Sequence, residues 1–146
     1  MKVYVAAGWF TPDQEAARAQ ILHVLRGAGV QVYSPKDDGL YVKGDDPSKV
    51  FNTNLTEILK CDLVVASTEG KDMGTLFECG FAYSMRVPIV YYYLGDGPFN
   101  LMLAASATEV VTRHAALAGA VWRLKRAEEE GLRPPTVPYL VFIKNP

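Results

Sequence analysis

The chain has 146 residues, with 49% hydrophobic and 21% charged side chains and a formal net charge of −1. That size and balance fit one folded domain over residues 1–146 and exclude a disordered chain. The near-neutral charge, without a long basic block, offers no footprint for nucleic acid or an anionic membrane, and no apolar run is long enough to span a bilayer.

Lys2–Ala7 reads as a first strand, β-branched and aromatic, ending at Gly8. In Gly8-Trp9-Phe10-Thr11-Pro12-Asp13-Gln14, Thr11 has the chemistry of a helix cap, Pro12 suits the first helical position and Gln14 completes a capping box. The helix beyond carries Ala17, Ile21, Val24, Leu25 and Ala28 at helical spacing and stops at Gly27 or Gly29. Trp9 and Phe10 are thus held in a short strand-to-helix loop, where they either lid the core or form the wall of a pocket for a flat ring.

Val30-Gln31-Val32-Tyr33 is a short second strand, and residues 34–46 read as a polar loop over the same edge of the sheet. Asp46-Pro47 opens the next helix, with Val50, Asn54 and Ile58 on one stripe and Leu55 beside them. Asn54 is a polar side chain on that apolar face, either a satisfied core asparagine or a ligand contact. Cys61 and Cys79 sit in apolar settings without a CxxC pair. They read as reduced core residues of a cytoplasmic protein, and the amino terminus enters a strand with no signal peptide.

Leu63–Ser67 is an apolar run too short for a helix, which makes it a buried parallel strand. It empties into Lys71-Asp72-Met73-Gly74-Thr75-Leu76-Phe77-Glu78, which places two carboxylates where open α/β sheets bind ligands. With Thr75 as cap, Glu78 stands at the third helical position, where the helix field favours its ionised form. Thr75-x-x-Glu78 then reads two ways: a capping box with no chemistry, or a carboxylate nucleophile.

That helix runs to about Met85, and residues 88–93 form a fourth strand. A turn-rich break at residues 94–98 precedes a short helix beginning at Phe99, and Glu109–Val111 gives a small fifth strand. The last helix starts at Thr112 or Arg113, ends near Glu130 before Gly131, and buries Leu117, Ala120, Val121 and Leu124. The tail at residues 134–143 is apolar and broken by prolines, and is expected to pack on this subunit or on a neighbour. Alternating strands and helices predict an α/β fold: a doubly wound, five-stranded parallel sheet of flavodoxin-like or Rossmann-like type with helices on both faces.

His23 on the polar side of the first helix and His114 at the start of the last read as solvated, and no metal site is expected. There is no GxGxxG, Walker or GxSxG pattern and no cysteine–histidine pair. No cofactor is expected. A carboxylate at a helix start with a tyrosine near it, an aromatic loop and a second acid suit attack on the anomeric carbon of a sugar.

Tyr4 with Ala7-Gly8-Trp9-Phe10-Thr11, Asn52-x-Asn54-Leu55 with Cys61-Asp62, Asp72-x-Gly74-x-x-x-Glu78-x-Gly80-x-Ala82, and Pro98-Phe99-Asn100-Leu101-Met102 closely resemble the nucleoside 2-deoxyribosyltransferases. The resemblance spans about the first three quarters of the chain. It implies a double displacement in which Glu78 attacks C1′ of a 2′-deoxyribonucleoside and a second nucleobase takes the sugar with retention. It also implies that Tyr4 orients the nucleophile and that Asp72 holds the 5′-hydroxyl. Gly8, Trp9, Phe10, Asn54, Gly74, Asn100 and Met102 are the implied substrate contacts, with Asn100 donated by a neighbour in a homo-oligomer built on a dimer unit, up to a hexamer. A carboxylate near the 5′ position should repel phosphate, favouring nucleosides over nucleotides.

Two departures from the family pattern stand out. Asn54 occupies a position where the family commonly has an aspartate that protonates the departing base, which leaves the proton route and base scope open. The segment from Arg133 to Pro146 does not match the family's usual ending, and Asn145 and Pro146 receive no role. A hydrolase on the same scaffold and a nucleoside- or nucleotide-binding module without turnover are the competing readings.

Overall fold

The computed structural model describes residues 1–39, 44 and 46–132. The tail beyond Leu132 and part of the loop after the second strand lie outside the described residues. The order is β1 (Lys2–Ala7), α1 (Pro12–Gly27), β2 (Gln31–Tyr33), α2 (Pro35–Asp38), α3 (Pro47–Leu59), β3 (Leu63–Ser67), a 3₁₀ turn (Glu69–Lys71), α4 (Met73–Ser84), β4 (Ile89–Tyr92), α5 (Leu101–Ser106), β5 (Glu109–Val111) and α6 (His114–Glu129). All strand pairs are parallel, in the order β2-β1-β3-β4-β5.

Strand alternation divides the core. Val3, Val5 and Ala7 of β1 point to the face covered by α1 and α6, with Ile21, Leu25, Leu117 and Val121. Tyr4 and Ala6 point to the other face, with Ile58 of α3 and Cys79 and Ala82 of α4. Central strands buried on both faces need apolar residues at every position, which is why β3 shows no polar alternation. Adjacent β1 and β3, in register from Val3 opposite Leu63 to Ala7 opposite Ser67, bring their carboxyl ends together.

The Thr11 capping box forms as expected, with Pro12 in the first turn. Asp46 caps α3 through Ser48 N, also as expected. Residues 34–46 are not all loop: Pro35–Asp38 forms a short helix, preceded by a buried Ser34. Its hold is long-range. Arg18 of α1, buried, donates to both carboxylate oxygens of Glu15, to Ser34 Oγ and to Asp37 Oδ2. The Arg18 guanidinium in turn holds the Glu15 carboxyl down to about 2. His114 is not merely solvated either, since its Nδ1 lies 2.7 Å from the hydroxyl of buried Tyr92.

On α3, Ile58 is the side chain that is fully buried, while Val50, Asn54 and Leu55 are half-buried. Ile58→Ala should therefore lower unfolding stability by about 3 kcal/mol, the usual cost of truncating a large core aliphatic. Urea denaturation checks this: the midpoint should fall with an unchanged slope.

Candidate active site

Glu78 reaches across the sheet face to two other elements. Tyr4, in the middle of β1, donates its hydroxyl to Glu78 Oε1 at 2.7 Å. Asn54, from α3, donates its amide Nδ2 to the same oxygen at 3.2 Å. Tyr33 of β2 stacks on the Tyr4 ring with centroids 5.6 Å apart, so the donor ring is supported from its outer side. The Asn54 amide is thus partnered by the Glu78 carboxylate.

The local helix start differs from the one expected at Thr75. Asp72 is the cap, and its Oδ2 accepts from Thr75 N at 2.7 Å and from Thr75 Oγ1 at 2.9 Å. Asp72-x-x-Thr75 and Thr75-x-x-Glu78 are overlapping cap signals. The chain uses the first, which lets the helix begin three residues earlier and leaves Thr75 buried. Glu78 therefore sits in the second turn, beyond the reach of the helix-end field, and makes no capping bond.

The expected ionisation is overturned with it. Burial pushes the Glu78 carboxyl up to about 7; the Tyr4 bond opposes this, the Asp72 charge adds to it, and the Asn54 bond opposes it again. The Tyr4 hydroxyl moves far above its ordinary value, first through burial and then through the Glu78 charge, so it stays a donor at any working pH. Burial also lifts the Cys79 thiol to about 12 and Cys61 to about 11, which removes both as thiolate nucleophiles near neutrality.

The other expected residues fall into two groups. Trp9 and Phe10 stack on one another at 5.1 Å and line a cavity of about 700 Å³. Tyr33, Pro35, Phe51 and Asn54 also line it, so Asn54 belongs both to the cavity and to the Glu78 contact. Gly74 is exposed, and a side chain there would start 3.3 Å from Asp72 Oδ2, so glycine keeps that carboxylate uncrowded. Gly8 underlies the aromatic loop, packed against Gln14. Asn100 and Met102 stand apart from this cluster. Asn100 Oδ1 caps α5 by accepting from Met102 N and Leu103 N, and Met102 is exposed.

Sequence reasoning missed Phe51, which pairs with Phe77 of α4 at 5.5 Å, and the clamp that Thr75 places on Asp72. The Asp-x-x-Thr spacing was the available signal for the second. A larger groove, about 1320 Å³, runs between α1 and α6 on the opposite sheet face and contains none of these side chains. Among the described residues no cluster of His, Cys, Asp and Glu is gathered as a metal ion would need, and no helix is long and apolar enough to cross a membrane.

A 2-deoxyribosyltransferase from Bacillus psychrosaccharolyticus shares the fold with a TM-score of 0.73 and 24% identity, over 81% of this chain and 90% of that one. A 2-desoxiribosyltransferase from Leishmania mexicana superposes with a TM-score of 0.63 at 23% identity, over 83% of this chain and 97% of its own. The Clostridium botulinum CMP N-glycosidase is similar in fold at a TM-score of 0.58 and 16% identity, over 83% and 98% of the two chains. None of the curated proteins matches the sequence. The family model for nucleoside 2-deoxyribosyltransferase matches residues 3–116. That span runs from the strand carrying Tyr4 past Glu78 into α6, and on it this chain belongs to the nucleoside 2-deoxyribosyltransferase family.

Proposed function

We propose that this chain, acting as a single domain in the cytoplasm, exchanges the nucleobase of 2′-deoxyribonucleosides by a retaining double displacement on Glu78. The observation that carries the reading is the asymmetry of that carboxylate. Oε1 accepts both the Tyr4 and the Asn54 bond, while among the described residues Oε2 accepts none. Two donors on one oxygen fix the plane of the group and leave the other lone pairs for attack.

In the first step an Oε2 lone pair forms a bond to C1′ as the C1′–N bond breaks, its electron pair leaving on the base, which takes a proton from solvent. Asn54 has no acidic proton to give, so its part is to hold Glu78 and present its carbonyl to the base. In the second step a ring nitrogen of another base attacks C1′ from the vacated face. The ester C–O bond breaks, its pair returns to Glu78, and the incoming base loses its N–H proton to solvent. Two inversions give retention. Trp9 and Phe10 stack against the base, and Asp72, held by Thr75, accepts from the 5′-hydroxyl through Oδ1 and repels a 5′-phosphate.

The reading includes a homo-oligomer in which Asn100 and Met102 complete a neighbour's site. Exposed Met73, Phe77, Leu101 and Met102 on α4 and α5 support it, being apolar side chains that a second copy would cover. Sedimentation should give a species larger than one chain, and Phe77→Glu should shift it toward the monomer with loss of activity.

Incubation of 2′-deoxyinosine with adenine should yield 2′-deoxyadenosine, and Glu78→Ala should slow this by roughly a thousandfold or more, as removal of a covalent nucleophile does. Mass spectrometry of enzyme quenched with a deoxynucleoside should find one deoxyribosyl group on the Glu78 peptide. Free deoxyribose without a new nucleoside would mean hydrolysis, and intact ligand binding with no sugar adduct would mean a module without turnover.

Ionised Glu78 is the attacking form, so kcat/KM should rise with pH and level off above about 7. Tyr4→Phe removes a bond that lowers the Glu78 pKa, and the acid limb should then move to higher pH. At pH 6 the variant should run on the order of tenfold slower, the scale of one lost bond to a charged group.

A further inference from the structure

Gln14 does more than close a capping box. Its side chain is buried, and its amide makes three contacts to two different loops. Oε1 accepts from Phe10 N at 3.0 Å and from Thr11 N at 3.1 Å, both in the loop after β1. Nε2 donates to the Glu69 carbonyl at 3.3 Å, in the 3₁₀ turn after β3. The first loop carries Trp9 and Phe10, and the second leads through Lys71 directly into Asp72.

Two glycines make room for this amide. A Cβ on Gly8 would lie 2.8 Å from Gln14 Cδ and Nε2, and one on Gly70 would lie 2.6 Å from Nε2. Gly70 also has a φ of 65°, a conformation that side chains disfavour, so its glycine has two reasons. Gly8 has only one reason, the space taken by Gln14. Each loop is therefore shaped around the same side chain, at the adjacent carboxyl ends of β1 and β3.

We infer that Gln14 is a positioning residue that fixes the span between the base wall at Trp9–Phe10 and the sugar carboxylate at Asp72. The inference rests on the base-exchange reading of the site. Gln14 touches no reacting atom; it sets how far apart the two ends of a nucleoside are gripped. A misplacement of about 1 Å in such a grip costs on the order of a hundredfold in rate.

Gln14→Ala should lower kcat/KM for base exchange by roughly ten- to a hundredfold. It should also strip hydrogen-exchange protection from the Phe10 and Thr11 amides. Gln14→Glu keeps the acceptor for those two amides but opposes the Glu69 carbonyl. It should restore their protection without restoring the rate. Gly8→Ala should strip the same amide protection on its own and remove little more of it in the Gln14→Ala background, where the space is empty. A Gln14→Ala enzyme that loses stability but keeps kcat/KM would overturn the inference, as would additive effects of the Gly8 and Gln14 changes. If the wild-type chain exchanges no bases, the proposed reaction fails; lost Phe10 and Thr11 protection in Gln14→Ala would still support Gln14 as the tie between the two loops, and retained protection would overturn it.

Discussion

A carboxylate placed in a protein interior must be partnered, neutralised or both, and the site follows from how Glu78 meets that demand. Burial alone drives it toward the protonated acid, and the nearby Asp72 charge pushes the same way. Tyr4 and Asn54 push back through hydrogen bonds to the charged form. The balance lies at about 7, so near neutrality the group is held neither wholly as the acid nor wholly as the anion. A solvated carboxylate would be ionised there, and an unpartnered buried one would stay protonated.

The phase of α4 decides whether Glu78 can occupy that position. With Asp72 as cap, Thr75, Glu78 and Ala82 fall three and four residues apart on one stripe, and Thr75 and Ala82 are buried against the sheet. Glu78 is carried inward with them. Had Thr75 been the cap, the Glu78 side chain would have turned back toward its own backbone to close the box. Capping by Asp72 thus has two consequences, since it leaves Glu78 out of any capping bond and holds the Asp72 carboxylate through Thr75.

Much of this was legible in the chain. The apolar runs at Lys2–Ala7 and Leu63–Ser67 and the Thr11-Pro12 and Asp46-Pro47 starts marked two strands and two helix starts correctly, because those signals are local and strong. The choice between Asp72 and Thr75 was not legible, since both are good caps and only burial of Thr75 separates them. Nor was the Glu78 ionisation, which depends on Tyr4 and Asn54, 74 and 24 residues away. The helix at Pro35–Asp38 escaped for a similar reason, being held by Arg18 from another element. What local spacing misses is the side chain that spans elements.

Asn54 is where this chain departs most from the pattern that its other motifs follow, and the geometry gives the departure a physical sense. An aspartate at the same place would sit within hydrogen-bonding distance of Glu78 Oε1, and two carboxyls so close share a proton and titrate as a pair. Glu78 would then be protonated more of the time. The amide does the opposite: its hydrogen bond favours ionised Glu78. Under the proposed base exchange, bases that accept a proton readily before departing would be the ones such a site handles well. Acceptor and donor scope then follow from the chemistry of the base as well as from the shape of the cavity between Trp9 and Phe51.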